Sequence, residues 1–415
     1  MLLKEPIASR CRRTPHRSQG VYRPPSYRIS LTHLREAKSL QQGLKESLKS
    51  REPWDKEVEF QRKKYVPPPH LCDPVESHVP SLRRQYLRLL FVYPYTPESR
   101  DIETHLWMST SYQFISKYKE RIANLDRAIN RPQQQQGSSR QQQRVVEHRK
   151  LLQRFSQFLA EEHRFWRQLI VRIHRVFALE DAYSALETLR IDVEDPPPQM
   201  IEGSAPRRNQ HQFPSEADTI SPAASSATPA ERQAMIAVMS KALVCLGDIE
   251  RYKELYNEKG GRPRAGHEEG PSAAPARGGR GRRGGGAGAP QMPRMRNYEK
   301  AQQCYEQARL LLPNDGNPSH QLAILATYQR DTFGSLVQYY RSLCVRNRYE
   351  PASENMDSIL TREWAAYKVK ETRRSNEAGA EGAGDAGPVA PRLRVEALKE
   401  NVIIMHAMWR VSTEE

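Results

Sequence analysis

Four arginines in a glycine-rich stretch are residues whose type and spacing suggest binding chemistry. They lie between residues 277 and 286, at Arg277, Arg280, Arg282 and Arg283. Guanidinium groups pair with phosphates and stack on bases, so the stretch predicts contact with RNA or single-stranded DNA. It has no interleaved aromatic side chains, however. A surface insertion without a fixed role explains it equally well, because long loops cost little closure entropy.

Arg251 is a second candidate, in a stretch whose apolar residues recur with helical spacing. An arginine can hold a phosphate dianion through two parallel, charge-assisted hydrogen bonds. The alternative is an arginine on the polar face of a helix that pairs with Glu250, Glu254 or water. The spacing alone favours this alternative.

Catalytic motifs are absent from the sequence. It has no G-x-x-x-x-G-K-[ST], G-x-S-x-G or H-E-x-x-H motif, and no G-x-G-x-x-G after a strand pattern. The five cysteines are odd in number and widely spaced, which argues against a disulfide framework or a zinc site. We therefore predict a non-catalytic protein without metal or cofactor, in a reducing compartment. Three of the cysteines are expected to be small buried hydrophobes: Cys245, Cys304 and Cys344.

The composition indicates a chain that is only partly folded. Of the 415 residues, 37% are apolar, which is below the ~45–50% of typical globular domains. The net charge of +16 resides in two segments. Residues 1–65 hold sixteen basic and seven acidic side chains, and residues 259–296 hold nine and two. Flexible basic segments of this kind bind nucleic-acid phosphates in a salt-sensitive way.

Segments that are poor in apolar residues are predicted to be disordered. They are a basic arm at residues 1–60, a glutamine tract at 133–143, an insertion at 195–229, an Arg/Gly-rich insertion at 259–296 and a linker at 375–391. No apolar run approaches the ~18 residues of a membrane span, so no membrane partner is expected.

The remaining segments are patterned for helices, which predicts an all-α fold. Apolar residues recur every three or four positions from Trp107 to Ile129, from Leu151 to Phe177 and from Met235 to Tyr256. No comparable stretch alternates with period two. Five aromatic residues of the helical regions are interpreted as core packing: Trp107, Trp166, Tyr305, Tyr339 and Tyr340.

The segment after the Arg/Gly-rich insertion has the spacing of a tetratricopeptide repeat. Ala301, Tyr305 and Ala308 match the small, aromatic and small positions of a repeat's second helix. A step of 34 residues finds Ser335, Tyr339 and Ser342 in the same order. The first helices of the two units would contain Leu246-Gly247, as the point of close packing, and Leu322-Ala323.

Three sequence blocks carry a resemblance to a known family. They run from Asp101 to Lys119, from Cys245 to Tyr252 (Cys-Leu-Gly-Asp-Ile-Glu-Arg-Tyr) and from Tyr305 to Ala326. They resemble the family of 14-3-3-like adaptors of nonsense-mediated mRNA decay and of telomerase-associated Est-type proteins. Most of the detail resembles the fungal members. Where the family's third block usually has asparagine, this chain has His320.

The resemblance implies a domain organisation. Residues 80–258 would form a 14-3-3-like helical domain, and residues 297–372 tetratricopeptide-like helices that make up the Est-type DNA/RNA-binding region. Residues 392–415 resemble the start of a helical hairpin domain. The pattern stops at Glu415, which predicts a truncated gene product, a fragment or an unusually short member.

The resemblance also implies a phosphate-binding pocket. In decay-factor members, two basic residues receive a phosphoserine of the phosphorylated RNA helicase that marks aberrant messages. One corresponds to Arg251. The other is a lysine one position after Ser111, where this chain has Tyr112. Three nearby lysines are the expected substitutes for it: Lys117, Lys119 and Lys253.

Three functions remain open at this point. The first is a non-catalytic adaptor in mRNA decay that binds a phosphorylated protein partner. The second is a telomerase-associated subunit that contacts telomerase RNA or single-stranded telomeric DNA. The third is a generic helical-repeat scaffold. The first two place the protein in the nucleus and the cytoplasm.

Overall fold

A computed structural model describes residues 25–63, 81–130, 138–192, 213–214, 227–258, 296–378 and 391–412. Its α-helices are α1 (Pro25–Ser50), α2 (Lys56–Lys63), α3 (Leu82–Val92), α4 (Ile102–Trp107), α5 (Gln113–Asn130), α6 (Ser138–Val176), α7 (Tyr183–Thr188), α8 (Pro229–Leu255), α9 (Glu299–Leu311), α10 (Asn317–Tyr328), α11 (Thr332–Leu343), α12 (Pro351–Ala378) and α13 (Pro391–Ser412). Within these ranges the only β-type pairing is an isolated bridge between Asp315 and Asn347. The all-α prediction is confirmed.

The first helical part is a bundle around α6. Its apolar stripe packs on α5 and α8, and Phe155, Phe165 and Trp166 are completely buried. α6 is longer than its stripe predicts, because it begins at Ser138 and includes the glutamines at 141–143. The prediction of a disordered tract is therefore wrong for those residues, whose polar side chains continue the helix at little cost in propensity. Residues 131–137 lie outside the described residues.

The N-terminal segment belongs to the same bundle. The prediction of a disordered arm at residues 1–60 is wrong from residue 25 onward, since α1 and α2 pack against α3. Ala37, Leu44 and Leu48 form a buried stripe on α1, and Pro25 opens the helix where its missing N–H costs nothing. The composition of residues 1–65 concealed this stripe, because basic side chains outnumber acidic ones there and the apolar residues are few. Residues 1–24 are outside the described part of the chain.

The insertion predicted at residues 195–229 is described only at Phe213, Pro214 and its final residues. Phe213 is buried and stacks on Phe165, with ring centroids 5.8 Å apart. α8 then starts at Pro229, behind a capping box made by Thr228 and Glu231. This cap satisfies backbone N–H groups that the helix itself leaves unpaired. The described residues of the insertion therefore contribute to the core and to the start of α8.

The two predicted tetratricopeptide-like helix pairs are present. α8 packs on α9, and α10 packs on α11. Tyr305 and Tyr339 are buried as predicted, 0% and 3% exposed. The small residues allow the two helices of a pair to approach each other closely. In the second pair, Ser335 Oγ of α11 donates to the Ala323 carbonyl of α10 at 3.0 Å.

The expectation that Cys344 is buried is wrong. Cys245 and Cys304 are buried, and burial raises the pKa of Cys304 to about 12. Cys344 is exposed because α11 ends at Leu343 and Cys344 is the C-cap residue of that helix.

α12 and α13 form a helical hairpin on the last repeat, with a second, smaller core around Met356 and Leu360. Tyr340 packs against this core as a partly buried side chain. α12 reaches Ala378 and so takes up the first residues of the predicted 375–391 linker, while residues 379–390 lie outside the described ranges. None of the described helices is long and apolar enough to cross a bilayer.

Candidate functional site

Arg251 lies on the face of α8 that packs against α9, and it is 7% exposed. Its Nε donates to the Tyr305 hydroxyl at 3.2 Å, and its Nη2 donates to Asp248 Oδ1 at 3.0 Å. Nη1 lies 3.5 Å from the Tyr328 hydroxyl. The partner of the arginine is therefore Asp248, one turn earlier on the same helix, rather than Glu250 or Glu254.

The close approach of α8 and α9 builds this cluster. Gly247 has no side chain, so the ring of Tyr305 lies directly on the α8 backbone. The Tyr305 hydroxyl donates to Asp248 Oδ1 at 2.7 Å. Two groups, the guanidinium and the phenol, thus share one carboxylate oxygen in a buried setting. The distances fit a charge-assisted network.

The electrostatics of the cluster keep Arg251 charged. Burial opposes the charge, but the Tyr305 oxygen and the Asp248 carboxylate outweigh burial and raise the pKa of Arg251 above its ordinary value. The neighbouring His320 behaves in the opposite way, because burial, with Arg251 nearby, lowers its pKa to about 4. Its Nδ1 has no hydrogen-bond partner among the described residues. The site therefore contains one fixed cation and one neutral imidazole.

Lys119 of α5 is the predicted lysine that contacts the same aromatic ring as Arg251. Its Nζ lies 5.3 Å from the centroid of the Tyr252 ring, and Arg251 Cζ lies 4.7 Å from the same centroid. Cation–π attraction operates at these distances. The Tyr252 ring thus has two cations from different helices beside it.

Lys117 and Lys253 pair with carboxylates of their own helices. Lys117 donates to Glu120 at 2.9 Å on the exposed side of α5. Lys253 donates to Glu250 at 2.7 Å. It follows Arg251 by two residues, and side chains at that spacing do not share a helix face. Glu250 also pairs with His163. Burial alone would raise the pKa of Glu250, but His163 and Lys253 outweigh burial and lower it to about 2.

Tyr112 is the residue at which the resemblance predicts a lysine. It ends the π-helical segment Met108–Tyr112 and is 37% exposed, with its ring 6.3 Å from that of Trp107. The preceding Ser111 fixes the segment, because its Oγ donates to Glu162 at 2.6 Å and accepts from Trp166 Nε1 at 3.1 Å. A single π-type turn of this sort often marks a functional position in a helix.

A buried charge network behind this segment escaped the sequence reasoning. Glu162 of α6 accepts from Arg62 at 2.8 Å and from Arg83 at 2.7 Å, and all three side chains are almost fully buried. Burial alone would raise the pKa of Glu162, but the two guanidinium groups outweigh burial and lower it to about 2. The partners are 100 and 79 residues away in sequence, so no local pattern could have indicated them.

The remaining predicted site residues cannot be placed. Arg277, Arg280, Arg282 and Arg283 lie outside the described residues. Among the residues that the structure describes, no group of three or more His, Cys, Asp or Glu side chains could hold a metal ion.

Comparison with known families identifies the chain. A family model described as telomerase activating protein Est1 matches residues 101–257, and a model described as the Est1 DNA/RNA binding domain matches residues 301–410. The chain belongs to the Est/Smg family. The two Est1 matches include the cluster around Arg251 and both helix pairs, and they confirm the resemblance in the three sequence blocks.

Two curated proteins are similar to this Est/Smg chain. One is the nonsense-mediated mRNA decay factor SMG7 of Arabidopsis thaliana, 32% identical over 139 residues, which are 34% of this chain and 10% of that protein. The other is the telomerase-binding protein EST1A of Danio rerio, 25% identical over 182 residues, 43% of this chain and 9% of that protein. The match therefore spans about a tenth of the length of each relative.

One solved structure, described as the crystal structure of Est1 and Cdc13, is also similar to this Est/Smg chain. The similarity covers 82% of this chain and 50% of that one, with a TM-score of 0.47 and 13% identity.

Proposed function

We propose that the protein is a non-catalytic adaptor of nonsense-mediated mRNA decay that binds a phosphorylated protein partner. The observation that carries the proposal is the pair of cations, Arg251 and Lys119, over one tyrosine ring. Family membership and the similarity to a decay factor support the cellular role. The partner is a phosphorylated RNA helicase or a related phosphoprotein, and the protein works in the nucleus and the cytoplasm.

The phosphate would bind at the outer edge of the guanidinium. Nε and one Nη2 hydrogen face Tyr305 and Asp248, while the contact of Nη1 with the Tyr328 hydroxyl is long, at 3.5 Å. Lys119 would supply the second charge, in place of the lysine that Tyr112 replaces. The carboxylate of Asp248 repels an incoming dianion, so the affinity should be lower than that of a pocket with two unpaired basic residues.

A peptide-binding experiment tests this proposal. A degenerate peptide pool with a central phosphoserine should bind more tightly than the same pool with serine. Lys119→Glu should reduce this preference about tenfold, the loss expected for a charge-assisted contact. Lys117→Glu, two residues away and paired with Glu120, is the matched control and should leave the preference unchanged. Equal binding of both pools contradicts the proposal.

Arg251 needs a gentler variant because it is buried. Arg251→Glu would place a second carboxylate beside Asp248 and could unfold the cluster. Arg251→Lys keeps the charge and removes the planar fork, so it should weaken phosphopeptide binding while thermal unfolding shows a folded chain.

The second candidate function is a telomerase-associated subunit that contacts telomerase RNA or single-stranded telomeric DNA. It is favoured by the match of residues 301–410 to a DNA/RNA-binding domain and by the Arg277–Arg283 stretch. Deletion of residues 277–286 should weaken single-strand binding and reduce its salt dependence. Binding that is insensitive to salt contradicts this candidate.

A further inference from the structure

The π-helical segment Met108–Tyr112 runs alongside α8. Before this segment, Glu103 of α4 accepts from Lys241 of α8 at 2.8 Å. After it, Lys119 of α5 lies 5.3 Å from the ring centroid of Tyr252, further along α8. Residue numbers rise in the same order between the two contacts, so α4, the segment and α5 run in the same direction as α8. The segment is therefore level with the part of α8 between these contacts, which contains the cluster around Arg251.

Tyr112, the last residue of the segment, lies close to that cluster. Burial first of all raises the pKa of Tyr252, and the oxygen of Tyr112 adds to this rise. Burial also raises the pKa of Tyr349, between α11 and α12, and the oxygens of Asp248 and Tyr112 act in the same direction. Such electrostatic effects fall off with distance. This agrees with the position of Tyr112 that the two helix contacts give, and it brings Tyr349 to the same place.

Two apolar side chains of the π-helical segment face solvent. Met108 is 47% exposed and Tyr112 is 37% exposed. They are four residues apart on a helical segment, so they lie close to the same face. The three residues between them are buried. The segment thus presents an apolar edge, made by Met108 and Tyr112, beside the cluster around Arg251.

The aromatic core behind this edge holds it in place. The ring centroid of Trp107 lies 6.3 Å from that of Tyr112 and 5.5 Å from that of the completely buried Trp166. Ser111 is fixed by its hydrogen bonds to Glu162 and Trp166. A tyrosine that is already positioned loses little conformational entropy when a partner binds to it. The edge is therefore preorganised for a contact.

Tyr349 is held in a similar way by the helical repeats. Its ring centroid lies 4.6 Å from that of His320, and its backbone N–H donates to the Ser342 carbonyl at 3.3 Å. The Gly316 N–H donates to the Asn347 carbonyl at 2.9 Å and so fixes the same connection. Tyr349 is half-buried, which leaves part of it accessible beside the apolar edge.

We infer that Met108, Tyr112 and Tyr349 form a subsite for a large apolar side chain that flanks the phosphoserine of the partner. The inference rests on the proposed phosphopeptide site and adds a sequence preference to it. Aromatic rings and a flexible thioether adapt to apolar side chains of different shapes. An acidic side chain would gain nothing from them. Successive residues of an extended peptide are ~3.3–3.6 Å apart, so a residue a few positions from the phosphoserine reaches the edge.

Fluorescein-labelled peptide pools test the inference on the full chain. Each pool has a central phosphoserine and about four random positions on each side, except that one position is fixed as phenylalanine, leucine, glutamate or serine. At one or two flanking positions, the phenylalanine and leucine pools should bind about fivefold more tightly than the serine pool, as expected for partial burial of an apolar side chain. The glutamate pool should show no such gain.

Substitutions assign the preference to the subsite. Tyr112→Ala should reduce the fivefold ratio to about one, and Met108→Ser, a milder change at an exposed position, should reduce it in part. Tyr112→Phe keeps the ring and should retain the ratio. Tyr183→Ala is the matched control, because Tyr183 is an exposed tyrosine of α7, and it should leave the ratio unchanged. Thermal unfolding checks that each variant is folded.

Three results would overturn the inference. One is equal binding of the phenylalanine, leucine and serine pools at every position. Another is the tightest binding by the glutamate pool, which assigns the edge to acidic residues. The third is an apolar preference that Tyr112→Ala and Met108→Ser leave intact, which places the contact elsewhere.

The same pools with serine in place of phosphoserine separate this inference from the adaptor proposal. The apolar preference is a ratio between pools of the same phosphorylation state, so a chain that does not distinguish phosphoserine from serine can still show it. Conversely, a chain that prefers phosphoserine but shows equal binding of the flanking pools keeps the phosphate site and loses the subsite.

Discussion

Gly247 of α8 lies directly beneath the ring of Tyr305 of α9. A Cβ atom at position 247 would stand 2.5 Å from Tyr305 Cε1 and 3.1 Å from the Cβ of Cys304. The ring cannot retreat, because it is completely buried and its hydroxyl is held by Asp248. The glycine therefore sets the distance between the two helices and, through Tyr305, the position of Arg251.

Gly247→Ala should destabilise the protein by about 1–3 kcal/mol, the typical cost of overpacking a core. Gly43→Ala on α1 is the matched control. A Cβ there meets nothing within 4 Å, so the change should stabilise the helix by about 0.5–1 kcal/mol. Urea unfolding of both variants measures the effects. A stabilising Gly247→Ala would contradict the packing described for α8 and α9.

Glu162→Gln should cost about 3–5 kcal/mol at pH 7, because it leaves two buried guanidinium groups without their shared counter-charge. The neighbouring Glu161→Gln is the control. Glu161 is 44% exposed and pairs with Lys63, so its loss should cost under ~1 kcal/mol. The free energy of unfolding in urea distinguishes the two. Similar small losses in both variants would show that the buried network contributes little.

The pH dependence of the wild-type protein follows from the same carboxylate. The pKa of Glu162 is about 2 in the folded state and 4.5 without the protein environment. The stability that this group contributes is fully present above pH 4.5 and is lost as the pH falls towards 2. Glu162→Gln should remove this part of the acid sensitivity, which unfolding curves between these pH values would reveal.

His320 should weaken the fold in a different pH window. Its pKa is about 4 in the folded state against 6.5 in the reference state, so the unfolded chain binds more protons between these values. Stability should therefore fall as the pH drops from 6.5 to 4, by at most about 1.4 kcal/mol per pH unit. Arg251 and Asp248 act on this histidine, and Tyr339 and Tyr349 flank its ring.

His320→Asn, which removes the titratable ring, should flatten the stability curve in that window. The quantity to compare is the difference in unfolding free energy between wild type and variant at each pH. The pKa of His174 is also lowered, first of all by burial, and its effect cancels in this difference. An unchanged difference from pH 6.5 to pH 4 would show that His320 does not titrate in this way.

The sequence predicts the helix pairs well and the charged interior poorly. Tyr305 and Ala308 were identifiable because a repeat has fixed local spacing, and the three-residue interval from Asp248 to Arg251 could have indicated their pairing. Glu162, Arg62 and Arg83 meet only through the tertiary fold. α1 escaped prediction because three buried residues, Ala37, Leu44 and Leu48, are diluted by many basic neighbours. The contact of Lys119 with the Tyr252 ring also depends on the tertiary fold, so the sequence could not distinguish Lys119 from Lys117 and Lys253.

Asp248→Asn separates the two roles of the Arg251 cluster. The amide keeps the shape but removes the negative charge that neutralises the guanidinium and repels a phosphate dianion. Phosphopeptide affinity should therefore rise several-fold. Stability should fall, because a buried arginine loses its counter-charge, by an amount below the ~3–5 kcal/mol of a fully buried pair.

Asp315→Asn is a suitable control, since this aspartate accepts the backbone N–H of Asn317 at the start of α10. It should not change phosphopeptide affinity. Titration calorimetry with the phosphoserine pool gives the affinity, and urea unfolding gives the stability. If the Asp248→Asn variant loses affinity and stability together, Arg251 serves only to hold α8, α9 and α10 together.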